Sequence, residues 1–301
     1  MGWTALLLAL SAVLAFTACT NGQSSTQASN LPTNVSAEAG SLGSAPLETA
    51  AAAQGNLQVP VYWIGRTKTK AALYREFLPL ESGADPIQTA VQLMTSSKPL
   101  DPDYSSPWSK PSKFAASLSD KNVITVDLSA DAFSKSIDNT TAQLAIQELV
   151  YTVTGAAANA GLVDSNQVVQ VSILVDGHTD FMAFDQVKLD RPISRDATVQ
   201  APIWVISPQQ GAVFNSGVIT VTGLASVNLS KLNWLIQRIE PGGGRQSYQS
   251  GSTALQKTTK QGNFSFSISP PPGNYELVVF HADSSASASQ ADPDSKAFSV
   301  R

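Results

Sequence analysis

The sequence predicts an α+β domain, a mixed sheet with two helices on one face, followed by an all-β Ig-like sandwich. Two patterns carry this. Between about Leu57 and Arg191, alternating apolar segments are interrupted by two stretches whose apolar residues recur at i, i+3, i+4 and i+7. After Pro192 no helical period of useful length returns, and short strand-like runs follow one another between turn signals.

The first domain opens with two strands, Gln58–Gly65 and Ala71–Leu80, parted by Arg66-Thr67-Lys68. Asp85 is an N-cap residue, Pro86 fits the first helical position, and Gln88 stands three residues after the cap. Ile87, Ala90, Val91 and Met94 form the apolar stripe of this helix, which ends before Pro99. A Pro-rich loop runs to Pro111. A strand pair follows, Phe114–Leu118 and Val123–Leu128. Ile124, Val126 and Leu128 alternate with Thr125 and Asp127, so one face of the second strand is expected to be buried. The spacing Thr140-x-x-Gln143 reads as a capping box opening a second helix, with Ile146, Leu149, Val150 and Val153 as its stripe. A strand over Val168–Val175 and a tight turn at Asp176-Gly177 into Phe181–Phe184 close the domain.

The second domain is placed at 203–301, beyond a polar break bounded by Pro192 and Pro202. Its strands are Ile203–Ile206, Val218–Thr222, Leu232–Ile239, Phe264–Ile268, Tyr275–Phe280 and Phe298–Val300. Trp234 is the candidate core tryptophan. Each half has its own apolar set and is expected to fold alone.

The chain has one cysteine, Cys19, at the end of the uncharged apolar run Ala5–Phe16. That run is too short for a membrane-spanning helix, which takes about 20 residues, and has the length of a secretory signal core. The sequence Phe16-Thr17-Ala18-Cys19 resembles a bacterial lipobox, which implies that residues 1–19 are a signal and that Cys19 carries the lipid. Residues 20–56, polar and without an apolar period, read as a disordered linker between anchor and fold. With one cysteine there is no internal disulfide. The net charge of −4 has the wrong sign for a nucleic-acid partner, and the charged fraction of 14 % suits an envelope protein.

The first domain resembles the GerMN family. The residues that carry this are Asp85-Pro86, Val123–Ser129 followed by Phe133, the helix segment Gln147–Thr154, and Val171–Gly177. The second resembles the Ig-like Gmad2 family through Ile206-Ser207-Pro208-x-x-Gly211-Ala212-Val213, Val221–Ala225 and Gly262–Phe266. Together with the lipobox, these resemblances imply an envelope lipoprotein of the sporulation and germination type, on the outer face of the cytoplasmic membrane or on an outer membrane. They imply no reaction.

Catalytic candidates are few. His178, between Asp176 and Asp180, is read as the polar tip of a turn, with a metal or general-base site as the alternative. His281 falls in the other domain. The pairs Asp101-Pro102-Asp103 and Asp292-Pro293-Asp294 are either surface loops or calcium ligands. Gly242–Gly244 lacks the lysine and helix of a phosphate loop. No catalytic residue, cofactor or metal is assigned. Tyr104 and Trp108, in the Pro-rich loop, are the candidate partner contacts, the other reading being that they pack this loop onto the domain. The expected function is non-catalytic binding or scaffolding of another envelope macromolecule, protein or cell wall. The alternatives are an envelope hydrolase and a peptidoglycan- or glycan-binding module.

Overall fold

The computed structural model describes residues 57–67, 70–119, 122–163, 168–226, 228–257, 261–282 and 290–301, which all fall in one compact unit. Cys19 and the linker 20–56 lie outside the described residues.

The first half is α+β. Strands β1 (Gln58–Arg66) and β2 (Ala71–Pro79) form a long antiparallel hairpin, and β3 (Tyr104–Ser105) pairs with the end of β1. Helix α1 (Pro86–Ser96) starts where expected: the Asp85 carboxylate accepts from the Gln88 amide at 2.7 Å. A second, mixed sheet has the order β4-β5-β6-β9, from β4 (Phe114–Leu118), β5 (Val123–Leu128), β6 (Gln170–Val175) and β9 (Ile193–Ser194). β5 and β6 run parallel; the other pairings are antiparallel. The expected single sheet is therefore divided into two.

Helix α2 (Asn139–Asn159) differs from expectation at its start. The cap is Asp138, whose carboxylate takes the amide and hydroxyl of Thr141 at 2.9 and 2.8 Å. A carboxylate two residues ahead of the Thr-x-x-Gln box outcompetes it for the free amides. From Leu144 to Ala157 almost every α2 residue is buried, so the helix is a core element on all sides rather than an amphipathic cover. Thr152 Oγ1 also accepts the Tyr62 amide at 3.1 Å, which caps a β1 backbone group that no strand pairs.

The Asp176-Gly177 turn exists, but β7 (Phe181–Ala183) does not fold back along β6. It pairs forward with β8 (Val187–Leu189) as a separate two-stranded ribbon.

The second half is a β-sandwich. One sheet has the order β10-β12-β16-β15: Ile203–Ser207, Ile219–Ser226, Gln261–Ile268 and Gln256–Lys257. The other has the order β11-β18-β17-β13-β14: Ala212–Phe214, Gln290–Val300, Gly273–Ala282, Lys231–Ile239 and Arg245–Ala254. Trp234 is buried and stacks on Phe266 of the facing sheet, with ring centroids 4.7 Å apart. Gly251, its partner on β14, makes the room: a Cβ there would sit 2.4 Å from the indole.

The sandwich has a core of its own, around Val221, Leu232, Tyr275 and Phe298, but the two halves also share buried packing. Trp204, Ile206 and Leu224 of the sandwich belong to the same buried cluster as Leu73 and Tyr62 of the first half. Trp204 Nε1 and the Ala201 amide both donate to the Leu73 carbonyl, at 2.9 and 3.0 Å. The break after Pro192 is likewise built into the fold. Ile193–Ser194 joins a sheet, and Arg195 is buried over the Tyr151 ring, donating to Thr154 Oγ1 and the Tyr151 carbonyl.

Candidate functional site

The densest cluster of polar chemistry among the described residues lies on this seam. Glu76 is buried within β2, and its carboxylate accepts the amides of Leu100 and Asp101 at 2.9 and 2.7 Å. That clamp holds the Asp101–Tyr104 loop against β18. Lys296 enters from β18, donating to Tyr104 Oη at 2.8 Å, Asp294 Oδ1 at 2.9 Å and Asp101 Oδ2 at 3.4 Å. The Tyr104 hydroxyl donates in turn to Asp294 Oδ1 at 2.8 Å, and the Val205 amide to Asp294 Oδ2 at 2.6 Å. Asp101, Asp294 and Lys296 are each only 3 % exposed, so the cluster is desolvated.

Electrostatics follow from that burial. Burial by itself would lower the Lys296 pKa, but Asp294 and Asp101 outweigh it and hold the ammonium charged, with its pKa raised. Burial pushes Asp101 up, and Lys296 is too distant to reverse this; burial also raises Glu76 against its two amide donors. The Tyr104 hydroxyl is raised well above its usual value by burial and by the neighbouring carboxylates. It is a fixed donor, not an acid. Beside the cluster a cleft of about 500 Å³ opens, lined by Arg66, Asp103, Tyr104, Gln237, Glu276 and Asp294. Glu276, which lines this cleft, is paired bidentately by Arg245, at 2.5 and 3.0 Å.

For Tyr104 and Trp108 the structure corrects the partner-contact reading and shows the packing one. Tyr104 is not an exposed contact; its ring stacks on Tyr74 at 4.8 Å and its hydroxyl is consumed by the cluster. Trp108 is 2 % exposed, packs edge-on against Phe133 and Phe184, and donates to the Ala145 carbonyl at 3.2 Å. Both fasten the Pro-rich loop to the fold. The two Asp-Pro-Asp motifs meet at the seam through Asp101 and Asp294, where the cation is a lysine ammonium. Asp103 is exposed, and the side chain of Asp292 lies outside the described residues. His178 is exposed on its turn, whereas Asp176 accepts the Ala130 amide at 3.2 Å and so has a structural task. His281 is half-buried on β17. Gly242–Gly244 are exposed between β13 and β14. Among the described residues no three His, Cys, Asp or Glu side chains are grouped to hold a metal ion.

The sequence contained one unread signal of the cluster. Asp294 and Lys296 occupy the same inward phase as Phe298 and Val300. Inward charges at alternating positions of a strand announce a buried pair.

Comparison with known proteins agrees with this architecture. A family described as "Sporulation and spore germination" (Germane) matches residues 60–180. A second, described as "Immunoglobulin-like domain of bacterial spore germination" (Gmad2), matches residues 202–288. The chain thus carries a Germane domain followed by a Gmad2 domain. Among solved structures it is similar to the tandem GerMN domains of the sporulation protein GerM from Bacillus subtilis, with 18 % identity, 48 % of each chain covered and a TM-score of 0.38. It therefore spans about half the length of that structure. The first GerMN domain of the same protein matches with 12 % identity over 47 % of this chain and 98 % of that one, with a TM-score of 0.35. No curated protein matches the chain.

Proposed function

We propose that this protein is an exported, lipid-anchored envelope component that binds another envelope macromolecule without catalysis. The observation that carries the reading is the union of a Germane and a Gmad2 domain with a lipobox-like Cys19 in one chain. Two features support it. The titratable groups gathered at the seam, Asp101, Asp294, Lys296 and Tyr104, are engaged with one another. The polar stretch 20–56 has the length and composition of a tether between the anchor and the folded part. The lipid on Cys19 holds the chain at the membrane surface.

The test has two arms. Mass spectrometry of the mature N-terminus is expected to find a diacylglyceryl group on Cys19, and Cys19→Ser to leave the chain unprocessed or released. Cross-linking of the anchored full chain in its own envelope is expected to capture a specific macromolecular partner. An unmodified soluble N-terminus refutes the anchor; capture of nothing above a Cys19→Ser control refutes the binding role.

A further inference from the structure

We propose that the open edge of β4, with the groove beside α1, is a docking site for an extended peptide segment with apolar residues at alternate positions and a carboxylate at one end. This rests on the binding role proposed above and assigns it a surface.

The argument begins with register. β4 and β5 pair antiparallel, Phe114 opposite Leu128 and Leu118 opposite Ile124. The Ser129 amide donates to the Lys113 carbonyl and the Ser119 amide to the Val123 carbonyl, at 3.1 and 3.0 Å. The hydrogen-bonded pairs are therefore the odd-numbered positions of β4. Phe114, Ala116 and Leu118 turn their N–H and C=O groups the other way, to the side where β4 is the last strand of the sheet.

The side chains tell the same story. Phe114, Ala116 and Leu118 share a face with Leu128, Val126 and Ile124, which are wholly buried. Yet Ala116 and Leu118 are exposed, Leu118 by 38 %. The core face of the sheet thus runs out uncovered at its last strand. β4 contains no proline and no charge to blunt this edge. Where Phe114 begins the strand, a groove of about 170 Å³ opens between it and α1, walled by Val91, Gln92 and Thr95 on one side and Lys110 and Pro111 on the other.

These features specify the occupant. The edge offers backbone groups to an added strand. The uncovered face wants apolar side chains at every second position. Lys110 is the one charged residue lining the groove and calls for a carboxylate. A second copy fits less well: self-pairing of two five-residue strands falls far below the ~1,200 Å² that stable interfaces bury.

The probe is a fluorescein-labelled peptide, Glu-Thr-Val-Thr-Val-Thr-Val-Glu, titrated into the full chain in detergent micelles, read by anisotropy and by amide exchange. Saturable binding is expected, with slowed exchange at Phe114, Ala116 and Leu118. Ala116→Pro deletes an outward amide without touching the pairing to β5 and should abolish binding. Lys110→Glu, or a peptide with lysine at both ends, should weaken it by about fivefold. Should Ala116→Pro fail to fold, the two charge reversals decide. Binding that leaves the three amides unprotected, or that ignores both charge reversals, overturns the proposal. So does a dimer, seen by sedimentation, that Ala116→Pro dissolves. Peptide failure with intact partner capture from the envelope removes this edge and leaves the binding role; peptide binding without such capture removes the role and leaves the edge.

Discussion

Replacing Lys296 by methionine removes the one cation from a desolvated cluster that holds two aspartates. The size of the effect follows from geometry. At an effective dielectric near 20, a unit pair at 2.9 Å attracts by roughly 6 kcal/mol and one at 3.4 Å by roughly 5 kcal/mol, gross. Against this stands a desolvation cost of several kcal/mol for each ion. The intact cluster is therefore near neutral in net stability, but deletion of one member is not. It strands Asp101 and Asp294 at 3 % exposure with their attraction gone and their desolvation unchanged. The expected loss for Lys296→Met is about 3–5 kcal/mol, a fall in Tm of roughly 10 °C for a fold of this size. The triple variant Lys296→Met, Asp294→Asn, Asp101→Asn should regain most of it. Urea and thermal unfolding of the full chain, followed by tryptophan fluorescence, measure both. The ammonium's folded pKa is raised, so its contribution is fully present below the unfolded value of about 10.4 and is lost only as pH climbs through the folded one. The Lys296→Met deficit should thus persist unchanged through neutral pH. A loss under about 1 kcal/mol, or a triple variant no better than the single one, refutes the reasoning.

Glu148 is fully buried on α2 with neither carboxylate oxygen in a well-formed hydrogen bond, and desolvation raises its pKa well above the usual range, outweighing the opposing Ser106 hydroxyl and Lys135 charge. Its contribution is greatest below the unfolded value of about 4.3 and is lost as pH rises towards the folded one, so Glu148→Gln should gain about 1–3 kcal/mol at neutral pH and flatten the stability profile. A Cβ on Gly223 would lie 2.1 Å from the Phe264 ring and 2.3 Å from the Trp204 carbonyl; Gly223→Ala should cost about 1–3 kcal/mol in denaturant unfolding. Trp204→Ala opens the core that both halves share and should cost about 3–5 kcal/mol, with the full chain still unfolding in one transition; two resolved transitions in the wild type would show the halves to be independent.

Much of the fold was legible because its elements obey local rules. The Asp85-Pro86 start and the β4–β5 pair are where period and capping place them. What escaped has physical causes. β14 reads Arg-Gln-Ser-Tyr-Gln-Ser-Gly-Ser-Thr-Ala; it lies mostly exposed at a sheet edge, so no apolar alternation marks it. Only Phe298–Val300 of β18 carries an apolar pattern, because Lys296 and Asp294 break it while keeping its phase. The burial of Tyr104 and Trp108 depends on partners 190 and 37 residues away, which no local window contains.

The seam uses two kinds of contact, and they do different work. The packing of Trp204, Ile206 and Leu224 against the first half supplies affinity, but apolar surfaces tolerate sliding. The Lys296 cluster tolerates none, since a shift of 1 Å leaves a buried charge unpaired. Our hypothesis is therefore that the cluster sets the register of the two halves rather than their stability. The triple neutral variant separates these roles: it should be nearly as stable as the parent yet less uniform in domain orientation. Spin labels at exposed positions 117 and 247, in a Cys19→Ser background, report this as a distance distribution. A broadened distribution in the triple variant at unchanged Tm supports the register role; a distribution as narrow as the parent's sinks it, and leaves the apolar seam as sufficient.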